Sequence, residues 1–225
     1  MLIPRYYFSD DFKEFQELFF SYPHEKKRFR SNDYLWNFDE PLTHFHYILS
    51  GAAMTVLEHE NGSRKISSFH SQGTVFPGYH RSAFKIEQAI ATIALSEMET
   101  LCFSQEVFCR MLTENPPLML STLDWYASYI NLLLYESAHQ DYNSSFIQLC
   151  NLLYLFTQNS PASDPRRIDL TQENLAEILA LTRVNVARNL ARLRQENIII
   201  PHRRWIQVVD QKALEPYCSL ETLKP

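Results

Sequence analysis

The stretch LTQENLAEILALTRVNVARNLARLRQEN, residues 170–197, carries the most specific pattern in the chain. Its apolar residues recur at three- and four-residue spacing in two runs, which a break at Ala180-Leu181 separates. Thr171 and Thr182 stand before the two runs, where an N-cap threonine is favoured. The pattern predicts two short helices joined by a tight turn, in which a positive φ at Ala180 would cost about 1 kcal/mol.

The second predicted helix has one apolar face and one basic face. At about 100° per residue, Val186, Leu190 and Leu193 fall on the inward side. Six arginines and no lysine lie between residues 171 and 205, and arginine forks match phosphate and guanine geometry. Because the major groove admits such a helix, we expect DNA contacts from this region. The candidate DNA-binding residues are Thr171, Gln172, Thr182, Arg183, Val184, Asn185, Arg188, Arg192 and Arg203.

The segment NIIIPHRRWIQVVD, residues 197–210, predicts a small hairpin after the two helices. Apolar runs flank a basic tip that includes Arg203, which is expected to contact the sugar-phosphate backbone. Two helices followed by a basic hairpin describe a winged helix-turn-helix. The alternative is a helical bundle whose arginines are simply solvated.

The N-terminal half is predicted to be β-rich. All four glycines lie between residues 51 and 78, and Asn61-Gly62 separates two partly alternating runs, which is a strong hairpin pattern. We therefore predict that residues 27–103 form an antiparallel barrel or roll.

Helices are predicted from residue 105 onward. Ser104 caps a short helix, Pro116-Pro117 begin a longer one over about 117–139, and another spans about 143–158 before the loop NSPASDPRR. The long helix carries an apolar stripe at coiled-coil spacing, which predicts pairing with a second subunit; burial within one subunit is the alternative. The stripe consists of Leu120, Leu123, Ala127, Ile130 and Leu134. The predicted domains are a sensor at 1–112, a dimerisation helix at 113–140 and a DNA-binding domain at 141–225.

In the order of these parts, the chain resembles the cyclic-AMP receptor protein / fumarate-nitrate-reduction regulator (Crp/Fnr) family of bacterial transcription factors. The resemblance rests on Tyr34-Leu35, on the run His46–Gly51, on the Asn61-Gly62 hairpin and on the spacing from Leu170 to Leu193. It implies an α+β fold: an N-terminal antiparallel β-roll like a cyclic-nucleotide-binding jelly roll, a long dimerisation helix and a C-terminal winged helix-turn-helix. It further implies a homodimer on a near-palindromic operator in double-stranded DNA, with RNA polymerase as a partner if the protein is an activator.

The recognition helix lacks the acidic residue of the family pattern. The family usually reads Ser-Arg-Glu-Thr-Val-x-Arg, and here residues 182–188 read Thr-Arg-Val-Asn-Val-Ala-Arg. Val184 stands where the family's glutamate reads cytosine, and valine contacts a thymine methyl instead. We therefore expect a half-site that differs from the family's usual TGTGA or TTGAT.

The residues that would bind cyclic AMP are missing. Pro77-Gly78-Tyr79 replace the family's Gly-Glu-Leu turn, and Gln88-Ala89 replace its Arg-Ser pair. An iron–sulfur cluster is also disfavoured, because no cysteine precedes Cys102. Haem remains an alternative through His80, or through His44 and His46, which share one strand face.

An effector other than cyclic AMP is our expectation for the sensor domain. An aromatic and cationic loop would enclose a phenol or another aromatic or organic anion, against tyrosines of the long helix. The candidate effector-binding residues are Phe76, Tyr79, His80, Arg81, Phe84, Lys85, Tyr126 and Tyr129. Some relatives in the family sense chlorinated phenols. The alternative is a constitutive regulator whose pocket is filled by its own side chains.

Composition and motifs disfavour other classes of protein. The 225 residues are 45% hydrophobic and 21% charged, with a net charge of −5, as in ordinary globular proteins. No apolar run is long enough to span a bilayer, and the N-terminus lacks a signal peptide's apolar stretch, so a cytoplasmic location without membrane association is expected. We found no phosphate-binding glycine loop and no HExxH or GxSxG motif, so we predict no catalytic residue, no metal site and no resident cofactor.

Overall fold

The computed structural model describes residues 2–159, 164 and 166–224, and they form two compact units. One unit is Tyr7–Ala127, and the other combines Met1–Tyr6 with Ser128–Pro225. The division falls inside one long helix, so the predicted dimerisation helix contributes to both units. Residues 160–163 and 165 of the predicted loop lie outside the described residues.

Two β-sheets build the unit Tyr7–Ala127, all of whose residues the structure describes. Their strands are β1 (Tyr7–Phe8), β2 (Glu25–Phe29), β3 (Tyr34–Trp36), β4 (His44–Ser50), β5 (Ala52–Glu58), β6 (Arg64–Ser71), β7 (Val75–Phe76), β8 (Ile90–Ala94) and β9 (Met98–Ser104). A short helix, α1 (Gln16–Ser21), lies between β1 and β2. One sheet has the order β1-β6-β5-β8-β3 and the other β2-β9-β4-β7.

The antiparallel roll predicted from the sequence is confirmed, with one exception at its edge. β1 pairs with β6 in parallel, through Tyr7 opposite Phe69 and Phe8 opposite His70. Phe8 is fully buried and its ring stacks on the His70 ring, 5.4 Å away between centroids. This pairing extends the sheet to Tyr7 and Phe8, which lie outside the predicted range of 27–103.

Turn glycines set the geometry of the roll. Gly51 has a φ of +84°, and a Cβ there would lie 2.3 Å from the Glu97 carbonyl oxygen. This position therefore requires glycine both for its backbone conformation and for the close approach of a neighbouring turn. Nearby, Ile48, Ala53, Ala94 and Met98 form a buried apolar cluster.

Two helices follow the roll as predicted. α2 (Gln105–Glu114) begins at Ser104, whose hydroxyl accepts a hydrogen bond from the Val107 amide. α3 (Pro116–Tyr142) is 27 residues long and spans the division between the units. It buries one face, which includes Leu118, Trp125 and Leu132, and exposes another.

The C-terminal unit is a helical domain with a small sheet. Its elements are α4 (Ser145–Asn159), β10 (Arg167–Ile168), α5 (Gln172–Leu179), α6 (Arg183–Gln195), β11 (Ile199–Pro201), β12 (Ile206–Val208), α7 (Gln211–Leu214) and a 3-10 turn at Glu215–Tyr217. The sheet order is β10-β12-β11, with antiparallel pairing. The predicted hairpin is present, and β10 adds a third strand to it.

Within the described part of the chain, no helix combines the length and apolar character that crossing a membrane requires.

Candidate nucleic-acid interface

Helix α5 begins with a reciprocal cap. The Asn174 amide donates to the Thr171 hydroxyl at 3.1 Å, and the Thr171 amide donates to the Asn174 side-chain oxygen at 3.0 Å. Gln172 follows as the first helical residue and is exposed. Both predicted DNA-binding residues of this helix therefore lie at its N-terminus, where backbone N–H groups favour a phosphate.

The turn between α5 and α6 has the strained conformation considered above. Ala180 adopts the left-handed conformation, with φ 52° and ψ 39°. The Leu181 amide donates to the Ala176 carbonyl oxygen at 3.0 Å, which closes the end of α5. Thr182 then caps α6 by accepting a hydrogen bond from the Asn185 amide at 3.2 Å.

Helix α6 separates its faces as predicted. Val186, Leu190 and Leu193 are buried, and Asn189 donates to the Ser145 hydroxyl of α4 at 3.2 Å. On the outer side Val184 is 75% exposed. The inner face of the helix thus anchors it, and the outer side of its first two turns is accessible to a ligand.

Two arginines on the outer face of α6 make local contacts. Arg188 Nη2 donates to the Asn185 side-chain oxygen at 2.8 Å, and Arg183 lies 3.7 Å from a Glu173 carboxylate oxygen. Both arginines are exposed, so the Arg183 ion pair contributes little stability. The Asn185 contact holds the Arg188 fork on the outer face without neutralising its charge.

Arg192 has different surroundings from the other arginines of α6. Its guanidinium carbon lies 3.8 Å from the ring centroid of Phe146 and 5.3 Å from that of Tyr217. Its Nε donates to a Glu196 carboxylate oxygen at 3.2 Å. These aromatic partners could not be predicted from the sequence, because they lie 46 and 25 positions away in the chain and no local pattern links them.

The hairpin between β11 and β12 presents its basic tip to solvent. Arg203 is exposed there, beside a His202 ring that stacks on Trp205 at 3.6 Å between centroids. The Arg167 guanidinium of β10 packs on Trp205, directly before β12, at 4.7 Å from the ring centroid. These aromatic contacts stiffen the hairpin that carries Arg203.

The predicted effector loop is partly brought together by the fold of the first unit. The Tyr126 hydroxyl of α3 donates to the Tyr79 carbonyl oxygen, and a Cβ on Gly78 would lie 2.6 Å from that same hydroxyl oxygen. Phe76 is buried, and its ring lies 4.1 Å from the His70 ring between centroids. The loop is therefore fastened directly to α3 in this unit.

His80 is engaged within the loop itself. Its Nε2 lies 2.7 Å from a Glu87 carboxylate oxygen, and the other Glu87 oxygen accepts from the Phe84 amide at 3.3 Å. The His80 Nδ1 also contacts the Ser82 carbonyl oxygen. Sequence reasoning missed Glu87, seven positions along the loop, as the partner of His80.

The remaining predicted effector residues are mostly exposed. Arg81, Phe84 and Lys85 point to solvent, and the Lys85 ammonium donates to the Gln88 side-chain oxygen. Tyr129 is half-buried on the part of α3 that belongs to the other unit. The structure thus brings Tyr79, His80 and Tyr126 together, with the Phe84 ring 4.9 Å from the His80 ring between centroids and Arg81 in contact with the Tyr79 hydroxyl.

The histidines considered for haem have unlike environments. His46 is buried, and its Nδ1 lies 3.0 Å from the Thr100 hydroxyl, whereas His44 is exposed. Burial, with the nearby charges of Lys27 and His44, lowers the pKa of His46 to about 4. Among residues 2–159, 164 and 166–224, no three His, Cys, Asp or Glu side chains are grouped so that they could hold a metal ion.

Comparisons with known proteins match both units of the chain. Residues 26–115 match the cyclic nucleotide-binding domain, and residues 148–217 match the Crp-like helix-turn-helix domain. The chain is 25% identical over 194 residues to the global nitrogen regulator of Nostoc sp., covering 84% of this chain and 86% of that protein. It is 26% identical over 181 residues to the global nitrogen regulator of Synechocystis sp., covering 78% and 80%.

Solved structures share the fold at low sequence identity. FixK2 from Bradyrhizobium japonicum has a TM-score of 0.75 at 15% identity, covering 88% of this chain and 98% of that one. CprK in complex with OCPA has a TM-score of 0.73 at 16% identity, covering 95% and 100%. The relatives matched by sequence are regulators. With a cyclic nucleotide-binding domain followed by a Crp-like helix-turn-helix domain, the chain belongs to the Crp/Fnr family of transcription regulators.

Proposed function

We propose that the chain is a homodimeric regulator that binds specific DNA sequences through α6. The outward face formed by Arg183, Val184, Asn185 and Arg188 carries the proposal, because it combines exposed arginine forks with an apolar side chain on a capped helix. Arginine reads guanine and valine packs on a thymine methyl in the major groove. Thr171, Gln172 and Thr182 at the helix N-termini, and Arg203 on the hairpin, would contact the phosphate backbone.

The exposed side of α3 supports the dimer. Leu120, Leu123, Ala127, Ile130 and Leu134 lie on that side at alternating three- and four-residue spacing, and all five are exposed. Such a stripe on a 27-residue helix fits a coiled-coil pair between two copies. A two-fold dimer would present two recognition helices about 34 Å apart, to successive major grooves of a near-palindrome.

Two versions of regulation are compatible with this function, and the loop geometry favours the second. In the first, a small aromatic or organic anion binds the region of Phe76, Tyr79 and Tyr126 and shifts the protein toward its DNA-binding form. In the second, the protein is constitutive, because its own contacts already hold the loop. The contact between His80 and Glu87 and the Tyr126–Tyr79 hydrogen bond support constitutive binding.

The test is DNA selection with effector-free, full-length protein, followed by titration at several salt concentrations. We expect enrichment of a near-palindrome, bound with a steep salt dependence. Arg188→Ala should abolish this binding while the helical content and the dimer remain, and Arg194→Ala removes the same charge as a matched control. Wild-type affinity in Arg188→Ala would show that the recognition face is misplaced.

The same selection separates the two versions of regulation. Tight binding without any addition supports the constitutive version. Weak, sequence-blind binding supports gating, and the assay then becomes a screen with phenols, organic acids and haem. Haem binding would also appear as a Soret band that is lost in a His80→Ala or His46→Ala variant.

A further inference from the structure

We infer that Arg192 is a positioning residue, which sets the angle of α6 against α4 and the turn at Glu215–Tyr217, and that it makes no direct contact to DNA. The inference rests on the proposed function of α6 as the recognition helix. It changes the role that the sequence pattern suggests for Arg192, which lies on the same side of the helix as Arg188.

The guanidinium of Arg192 is engaged at one face and at its Nε edge, and the side chain is 53% exposed. It packs on Phe146 of α4 at 3.8 Å and near Tyr217 at 5.3 Å, and its Nε donates to Glu196. A planar guanidinium suits this combination, because it stacks on a ring with its faces while its edge donates hydrogen bonds. A phosphate contact through the Nε edge of Arg192 would break its hydrogen bond to Glu196, and a shift of the guanidinium toward the DNA would take it off the Phe146 ring.

Glu196 closes the cluster from the other side. Its second carboxylate oxygen accepts a hydrogen bond from the Tyr217 hydroxyl at 2.6 Å. This hydrogen bond and the neighbouring Arg192 lower the pKa of Glu196, so the carboxylate stays charged. Arg192, Glu196, Tyr217 and Phe146 therefore link three elements through contacts that all converge on the last turn of α6.

The cluster lies at the C-terminal end of α6, so a change there would tilt the N-terminal end, where the proposed base contacts are made. Arg192 lies nine residues after Arg183, which is about 14 Å along an α-helix. A tilt of about 10° at the Arg192 end would move the first turn by about 2 Å, more than a bidentate base contact tolerates. Arg188, by contrast, donates to the neutral side-chain oxygen of Asn185 and needs no rearrangement to face a base.

The test uses the full chain and the duplex that the wild type selects from a random-sequence pool. Stoichiometric titration first gives the active fraction of each variant. The Kd is then measured for the selected and a scrambled duplex at several salt concentrations. We expect Arg192→Ala to lower the preference for the selected duplex about tenfold, which corresponds to losing one charge-assisted interaction. The salt slope of Arg192→Ala should equal that of the wild type, whereas Arg203→Ala, which removes a proposed phosphate contact, should reduce it by about one per subunit.

Three further variants separate positioning from a phosphate contact and from folding. Tyr217→Phe removes only the hydroxyl that holds Glu196, and should lower the preference in the same direction, with little added effect in Arg192→Ala. Arg192→Lys should fail to restore the preference, because an ammonium cannot replace the planar fork. Arg194→Ala, an exposed arginine on the same helix, should leave the preference intact.

The outcomes are distinguishable. A salt slope reduced in Arg192→Ala, or binding restored by lysine, would identify a phosphate contact and overturn the inference. A loss confined to the active fraction would show that Arg192 serves folding alone, which also overturns it. If the wild type selects no duplex, the proposed function itself fails, and the inference fails with it.

Discussion

At the scale of single residues, His46 makes the stability of the roll depend on pH. Its ring is buried beside Thr100, and burial with the charges of Lys27 and His44 lowers its pKa from the ordinary 6.5 to about 4. The folded state therefore binds fewer protons than the unfolded chain between these two values. Above pH 6.5 the free energy of unfolding does not depend on the protonation of His46. As the pH falls from 6.5 to 4, protonation of His46 in the unfolded chain lowers the free energy of unfolding by about 3 kcal/mol in total.

Urea unfolding at several pH values measures this loss. A Trp205→Phe background leaves Trp36 and Trp125, both in the unit that contains His46, as fluorescent reporters. We expect His46→Gln to flatten the dependence between pH 6.5 and 4, while His44→Gln, at an exposed position of the same strand, leaves most of it. An unchanged slope in His46→Gln would assign the acid sensitivity to other groups.

At the scale of the element, the proposed role of α6 implies a base preference at Val184 that a substitution can change. Its side chain is 75% exposed and offers no acceptor for a cytosine amino group. We predict thymine at the facing position of the selected half-site, and cytosine there after Val184→Glu, with discrimination of about 1–3 kcal/mol. Repeated selection with each variant measures the change, and Val184→Ala should weaken the thymine preference without gaining one for cytosine. Cytosine in the wild-type half-site would contradict this account of α6.

Elements were predictable from the sequence where their causes are local. Ser104, Thr171 and Thr182 cap the backbone amides three residues ahead, so each helix start can be recognised within one turn. The positive φ of Ala180 follows from the same short stretch. β1 and β10 have two residues each, and they are strands only because a distant partner, β6 or β12, pairs with them.

The candidate site shows the same limit. The face of α6 follows from helical periodicity, so Val184 and Arg188 were predicted to point outward. The partners of Arg192 and His80 were not predicted, because they depend on how the chain folds back on itself. Such contacts decide whether an arginine is available to a ligand, and periodicity carries no information about them.

At the scale of the whole molecule, the exposed stripe of α3 predicts a dimer. Charged residues introduced into the stripe should disrupt this dimer. Leu123 and Leu134 are 57% and 67% exposed, on the same side of the helix. We expect the double variant Leu123→Glu, Leu134→Glu to sediment as a monomer at micromolar concentration, because four carboxylates would face one another across the pair. It should also lose operator binding. Leu123→Met with Leu134→Met keeps the seam apolar and should remain dimeric, and a monomeric wild type would refute the coiled-coil assignment.

The C-terminal unit combines segments that are far apart in the sequence, and this affects the order in which the two units fold during synthesis. This unit includes residues from the start of the chain, and Tyr6 is buried there with its ring stacked 5.8 Å from Phe156. Near the other end, the fully buried Thr222 bonds the Tyr135 hydroxyl at 2.7 Å. At about 5–20 residues per second, Tyr6 leaves the ribosome roughly 8–30 s before Phe156 is available to pack against it. All residues of the roll have been synthesised by then, whereas the unit that contains α5 and α6 completes its core only after Thr222, so the roll can fold first.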